Sequence, residues 1–151
     1  MKLLLKIVIA IAAGIGAGFV KCVNGNFFEV EMPLANSLVL SILSMQFMPT
    51  SYRQKMLNDI YDHMLYGGAL VFVEKVVADG GADDLLVDLY YEMKRRNGYT
   101  IEKIVEKRKS LENVLSPLKP GWNVEMLHNA GFKVVDMFWR CLNFCGWIAI
   151  K

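Results

Sequence analysis

From about residue 24 to the C-terminus, short apolar runs alternate with amphipathic stretches, which is the pattern of a layered α/β domain. Residues 38–43 form a nearly continuous apolar run, as expected of a central strand covered on both faces. A second apolar run, residues 69–73, ends on Glu74 and Lys75. The amphipathic stretch between them predicts a helix over residues 52–66, so the three elements form a parallel crossover unit.

Local signals mark the ends of this helix. Ser51 and Gln54 have the spacing of a capping box at its start. The pair at residues 67–68 is Gly-Gly, which predicts that the helix stops there.

The remainder of the chain predicts three further helices and two strands. The helices cover residues 83–96, a stretch that begins after Thr100 as the N-cap, and residues 123–130. Residues 133–140 and 144–150 have the character of strands and are separated by only three residues. That link is too short for a parallel crossover, so the predicted sheet ends in an antiparallel pair.

The first 23 residues form a hydrophobic segment that is distinct from the domain predicted over residues 24–151. The uncharged run from Ile7 to Val20 has 14 residues, fewer than the roughly 18 usually needed to cross a bilayer. A secretory signal, a membrane anchor through residues 3–20, and a buried strand or helix all remain open. Residues 14–18 read Gly-Ile-Gly-Ala-Gly, a weak match to a cofactor-binding turn, because the first carboxylate of the chain is Glu29.

Composition narrows the class of protein. At 151 residues and 54% hydrophobic, the chain is expected to fold as a single domain. A net charge of +2 gives no strong overall field, so direct nucleic-acid binding is not expected. Cys22, Cys141 and Cys145 show no disulfide or zinc-site spacing, which favours a reducing compartment. We therefore expect a cytoplasmic location, with membrane anchoring by the N-terminal segment as the alternative.

Several stretches resemble one family closely. They are residues 38–47, 66–75, 93–99 (Met-Lys-Arg-Arg-Asn-Gly-Tyr), 107–114 (Lys-Arg-Lys-Ser-Leu-Glu-Asn-Val), 128–132 and 141–144. In this order they resemble the carboxy-S-adenosylmethionine synthase family of the class I S-adenosylmethionine-dependent methyltransferases. The likeness covers residues 24–151 and implies the C-terminal half of a Rossmann-like sheet, with parallel strands and a terminal antiparallel hairpin.

The resemblance also implies an activity. Members of the family convert S-adenosylmethionine, with prephenate as carboxyl donor, to carboxy-S-adenosylmethionine, which a partner enzyme uses to modify the wobble uridine of some transfer RNAs. The cofactor would therefore be S-adenosylmethionine or its carboxylated form. The Gly-rich first half of the family's domain, which holds the ribose, has no counterpart in residues 24–151.

The same resemblance assigns four cofactor-binding residues. Arg108 takes the place of the arginine that binds the added carboxylate, for which a planar guanidinium is well suited. Ser41 stands where the family has an asparagine at the end of its fourth strand. Asn26 and Phe27 stand where the family holds the adenine.

Other interpretations compete with this one. A truncated, inactive module would serve dimerisation or scaffolding, and an unpaired edge at residues 38–43 would favour a homo-oligomer. The basic residues at 94–96, with Lys103 and Lys107, form either a solvated face or a phosphate-binding patch. His63 and His128 are expected to be structural.

Overall fold

The computed structural model describes the backbone of residues 7–13 and 19–25 and all atoms of residues 30–151. The chain divides into two compact units, Met1–Pro33 and Leu34–Lys151. In the first unit, strands β1 (Ile7–Ala13) and β2 (Phe19–Gly25) pair antiparallel, with Ala13 opposite Phe19. The glycine-containing stretch at residues 14–18 lies outside the described residues.

The described part of the hydrophobic N-terminal segment therefore consists of β-strands. The burial of these strands lies outside what the structure describes, so the role of the segment as a signal, an anchor or a core element stays a prediction. No helix in the described part of the chain is long and apolar enough to cross a membrane. The domain boundary predicted between residues 23 and 24 falls inside β2 and stays a prediction.

The second unit is built on a four-stranded mixed sheet with the order β3-β4-β6-β5. Strands β3 and β4 are parallel, whereas β6 is antiparallel to both of its neighbours. The mixed sheet and its terminal antiparallel pair confirm the α/β prediction. The elements are β3 (Asn36–Ile42), α1 (Thr50–Asp62), β4 (Met64–Lys75), α2 (Asp83–Arg96), α3 (Ile101–Leu111), α4 (Pro120–Asn129), β5 (Val134–Cys141) and β6 (Phe144–Ile150).

One face of the sheet carries the core. Phe72 lies opposite Trp147 and Leu70 opposite Ala149, and all four side chains are buried. The Phe72 and Trp147 rings pack 5.7 Å apart between centroids. Helices α1 and α4 supply the other side of this core with buried side chains, Leu57, Ile60 and Leu127.

Strand β3 lies at the edge of the sheet. Leu38, Leu40 and Ile42 are between 52% and 61% exposed. The expectation that residues 38–43 form a central strand covered on both faces is therefore wrong. These three side chains share one face of β3, which is left exposed while Ser41 on the other face is buried, and β3 pairs with β4 alone within the sheet of the second unit.

Helix α1 ends earlier than predicted, at Asp62 rather than at residue 66. The carbonyl of His63 accepts hydrogen bonds from both the backbone N–H and the side-chain amide of Asn36, at 3.0 and 3.1 Å. These bonds draw the chain into β4 from Met64 onward. The His63 ring also contacts the Asp59 carbonyl at 2.7 Å, consistent with a structural histidine.

The predicted capping box at the start of α1 does not form. Pro49 is the N-cap residue and makes no side-chain capping bond. Gln54 instead donates from Nε2 to Asn58 Oδ1 at 2.9 Å and to the Met126 carbonyl at 3.1 Å. Tertiary contact between α1 and α4 has thus displaced the local capping interaction.

The predictions for the elements after β4 agree with the structure more closely than those for α1. Helix α2 has the predicted bounds, and the Thr100 hydroxyl accepts a hydrogen bond from the Lys103 N–H at 3.3 Å, as an N-cap should. Strands β5 and β6 pair antiparallel as predicted. Helix α4 begins three residues earlier than predicted, because Pro120 occupies its first turn.

The Gly-Gly pair at residues 67–68 lies within β4 instead of ending a helix. Gly67 has a φ of 77°, a conformation that glycine adopts readily. A Cβ at Gly68 would lie 2.9 Å from the Leu65 carbonyl oxygen and 3.1 Å from that of Asn36. The close approach of β3 to β4 therefore requires glycine at this position.

Gly68→Ala is expected to destabilise the protein by at least ~2 kcal/mol, because backbone atoms on both strands must move to admit the methyl group. Chemical denaturation of the purified chain measures the change. Gly80→Ala is the matched control, since nothing lies within 4 Å of a Cβ there. Equal stability of the two variants would contradict this account of the Gly-Gly pair.

Candidate functional site

The carboxyl ends of β3 and β4 meet at one edge of the sheet, which is where α/β proteins of this type usually bind ligands. The turn after β3 has an unusual backbone, because Leu43 has a φ of 53°. Its N–H donates to the Val73 carbonyl at 2.7 Å, which anchors the turn to β4. Within the turn the Ser41 and Ser44 hydroxyl oxygens lie 3.0 Å apart.

A buried arginine fixes the connection that follows this turn. The Arg53 guanidinium donates from Nε to the Met48 carbonyl at 3.0 Å. From Nη2 it donates to the carbonyls of Gln46 at 3.2 Å and Ser116 at 2.6 Å. One side chain of α1 thus joins the turn after β3 to the segment before α4.

A buried carboxylate holds the turn from the other side. Glu74, at the end of β4, accepts a hydrogen bond from the Met45 N–H at 3.0 Å, while Gln46 Oε1 accepts one from the Lys75 N–H at 2.8 Å. Glu74 Oε2 has no hydrogen-bond partner within the described residues. Burial raises the pKa of Glu74 to about 7, against the opposing effects of backbone donors and of the Arg53 charge.

Positive charges gather beside the end of β4. Burial lowers the pKa of Lys75 from its ordinary value, and the charges of Lys94 and Arg108 lower it further, whereas Asp83 acts in the opposite direction. Arg108 lies in the last turn of α3 and is exposed. No salt bridge engages its guanidinium within the described part of the chain. Arg108 is therefore free to bind an anion such as a carboxylate.

The structure locates two of the four predicted cofactor-binding residues. Ser41 is 7% exposed near the end of β3, and Arg108 is exposed on α3. No hydrogen bond joins the two side chains, and the Arg108 charge acts on Lys75 at the end of β4. Asn26 and Phe27 lie outside the described residues. The roles of all four stay predictions.

Sequence reasoning missed the residues that support this edge. Glu74 and Lys75 were visible only as charges at the end of an apolar run, and that position at a strand end was the available signal. No signal in the sequence pointed to Arg53, because a charged residue in an amphipathic helix normally faces solvent. Its burial depends on carbonyls that are distant in sequence, such as that of Ser116.

The fold is similar to that of S-adenosylmethionine-dependent methyltransferases. The crystal structure of human N-acetylserotonin methyltransferase in complex with S-adenosylmethionine aligns with a TM-score of 0.59 at 19% identity. The alignment covers 84% of this chain and 32% of that one. The second unit thus has the α/β architecture of that class of enzymes, as the sequence predicted.

The sequence is similar to a particular member of the class. Carboxy-S-adenosyl-L-methionine synthase of Methylococcus capsulatus is 46% identical over 116 residues, which is 76% of this chain and 48% of that protein. The synthase of Nautilia profundicola is 34% identical over 133 residues, 87% of this chain and 56% of that protein. The chain therefore spans about half the length of the curated relatives that it matches. No protein-family model matches the sequence.

The raised pKa of Glu74 predicts a pH-dependent stability. Between its ordinary value of 4.5 and about 7, the folded protein retains a proton that the unfolded chain releases, so stability falls as pH rises through this window. Glu74→Gln removes the ionisation and keeps an acceptor for the Met45 N–H. We expect the variant to match the wild type near pH 4.5 and to exceed its stability by roughly 2–3 kcal/mol near pH 8.

Urea denaturation at a series of pH values measures this difference. Glu112→Gln, which alters an exposed carboxylate at the end of α3, is the control and should follow the wild-type profile. Parallel profiles for Glu74→Gln and the wild type would show that Glu74 does not titrate in this window.

Proposed function

We propose that this chain binds S-adenosylmethionine, or its carboxylated form, as part of a transferase of the carboxy-S-adenosylmethionine synthase type. The observation that carries the proposal is the 46% identity to the Methylococcus capsulatus synthase over 116 residues. The methyltransferase-like fold supports it. S-adenosylmethionine would supply the activated methyl group, and prephenate would be the carboxyl donor.

The described residues fit the carboxylate end of such a cofactor. Arg108 has an exposed guanidinium with no salt bridge inside the described part of the chain, and it can hold a carboxylate through two parallel bonds. Lys75, on whose pKa the Arg108 charge acts, adds a second positive charge. Both groups would stabilise the negative charge that distinguishes the carboxylated cofactor from S-adenosylmethionine.

The turn after β3 would position the nucleoside end. Ser41 offers a hydroxyl that is shared with Ser44 and is held in place by the bonds of Met45 and Gln46 to β4. Asn26 and Phe27 would contact the adenine. Because the turn is fixed before any ligand arrives, its contribution is that of a preorganised contact.

The Arg108→Lys variant should distinguish S-adenosylmethionine from carboxy-S-adenosylmethionine by its affinity for each. A lysine keeps the charge and loses the two-point geometry, so affinity for carboxy-S-adenosylmethionine should fall about tenfold while affinity for S-adenosylmethionine changes by less than about twofold. Calorimetric titration of the 151-residue chain with each ligand measures both constants. Arg95→Lys, on the exposed face of α2, is the control.

Two results would count against the proposal. No detectable heat with either ligand would overturn cofactor binding by this chain. An equal loss of affinity for both ligands would leave binding in place and overturn the role of Arg108.

We also propose that the chain forms a homo-oligomer through β3. Its exposed row of Leu38, Leu40 and Ile42 lies at a sheet edge whose backbone groups are able to pair with a second copy. A two-fold arrangement would place β3 against the same strand of its partner.

Leu40→Lys tests this arrangement, because a charge in the middle of the row opposes pairing. Light scattering should show an oligomer for the wild type and a monomer for the variant. Lys119→Glu, an exposed change remote from β3 in sequence, should leave the oligomer intact. A wild-type monomer at low micromolar concentration would refute pairing through β3.

A further inference from the structure

A pocket between α2 and α3 has no role in the function proposed above. Its volume is about 490 Å³. It is lined by three lysines, two tyrosines, a glutamate and a serine: Lys94, Lys103, Lys107, Tyr90, Tyr99, Glu106 and Ser110. Neither Ser41 nor Arg108 is part of this lining, although Arg108 is next in sequence to Lys107.

The charge of the pocket is unbalanced. Three ammonium groups face one carboxylate, Glu106, and none of the three makes a salt bridge among the described residues. Arg108, the residue after Lys107, adds a further positive charge to the last turn of α3. Like charges held together repel, and a bound anion would relieve that repulsion.

The tyrosines hold one of these ammonium groups in place. Lys94 Nζ lies 4.6 Å from the centre of the Tyr90 ring and 5.8 Å from that of Tyr99. The Tyr90 ring is itself packed 5.3 Å from the Phe144 ring of β6. Lys94 is therefore positioned between α2 and the start of α3 before any ligand binds, which lowers the entropy cost of binding.

The neighbouring basic residues are arranged differently. Arg95 and Arg96, next to Lys94 in sequence, form salt bridges with Glu92 at 3.0 and 3.2 Å. The basic run is thus divided into two paired cations outside the pocket and one unpaired cation inside it. A nucleic acid would need an extended row of available cations, whereas this division favours a compact ligand.

We propose that the α2–α3 pocket binds a small organic polyanion, bearing phosphate or carboxylate groups, through Lys94, Lys103 and Lys107. Ammonium groups bind either kind of oxyanion as point charges, and the tyrosine hydroxyls supply additional hydrogen-bond donors. Binding of such an anion does not require the predicted cofactor contacts of Arg108 and Ser41, which are not part of the lining.

Calorimetric titration of the full chain with inorganic pyrophosphate and with citrate, in 0.15 M salt, tests the proposal. Wild-type protein should bind at least one probe, and the preferred probe identifies phosphate or carboxylate as the recognised group. The double variant Lys94→Gln with Lys107→Gln should weaken binding by about tenfold or more. The matched control, Arg96→Gln with Lys109→Gln, removes the same charge from the same helices and should change affinity by less than about twofold.

Circular dichroism and thermal melting check that the variants fold. If the double variant is unfolded, Lys103→Gln replaces it, because this side chain is exposed and lines the same pocket. Its expected loss is about threefold or more.

Three results would overturn the proposal. The first is no heat with either probe. The second is equal weakening in the pocket variant and the matched control, which would indicate diffuse attraction by the surface. The third is tighter binding of a single-stranded RNA 12-mer than of both probes, weakened equally by both double variants, which would identify a nucleic-acid surface instead.

Discussion

The Arg53 guanidinium is the interaction on which the carboxyl edge of the sheet depends. It is buried and bonds to carbonyls of Gln46, Met48 and Ser116, which belong to connections rather than to strands. Without it these carbonyls would lose a charged donor, and buried carbonyls are costly to leave unpaired. The geometry of two loops that are distant in sequence therefore follows from one side chain of α1.

Glu74 is close enough to Arg53 to affect its ionisation. Burial lowers the pKa of Arg53, and the nearby Glu74 charge opposes that effect. The carboxyl group also bonds to Met45, so it contributes to the same turn that Arg53 supports from the other side. No salt bridge joins the two side chains among the described residues, so Glu74 acts on Arg53 at longer range. The segment that follows Ser44 is therefore bonded to both side chains, through Met45 to Glu74 and through Gln46 and Met48 to Arg53.

How much of this was predictable from sequence depends on the range of the interactions. Periodicity and turn chemistry gave helix α2, the Thr100 cap and the final hairpin, because those features rest on local spacing. The end of α1 was placed four residues too late, since Asn36 pairs with His63 across 27 positions. The covered strand predicted at residues 38–43 is an exposed edge, because an apolar run gives no information about which strand lies beside it.

The residues of the candidate site also divide into those that local sequence could indicate and those that depend on distant contacts. The family motif drew attention to Arg108, and the structure leaves its guanidinium exposed, but nothing in the motif indicated its neighbour Lys75. Arg53 and Glu74 escaped notice because their function depends on burial, which composition does not reveal.

Net charge gave a similarly incomplete picture of the basic residues. A total of +2 suggests no anion binding, yet that total averages over cations with different surroundings. Glu92 neutralises Arg95 and Arg96, while Lys94 is held over two tyrosine rings without a carboxylate partner among the described residues. The local charge therefore depends on which of these cations form salt bridges with a carboxylate. In this protein the unpaired ones face a single pocket, and this placement, rather than their number, gives the surface its capacity to select a compact anion.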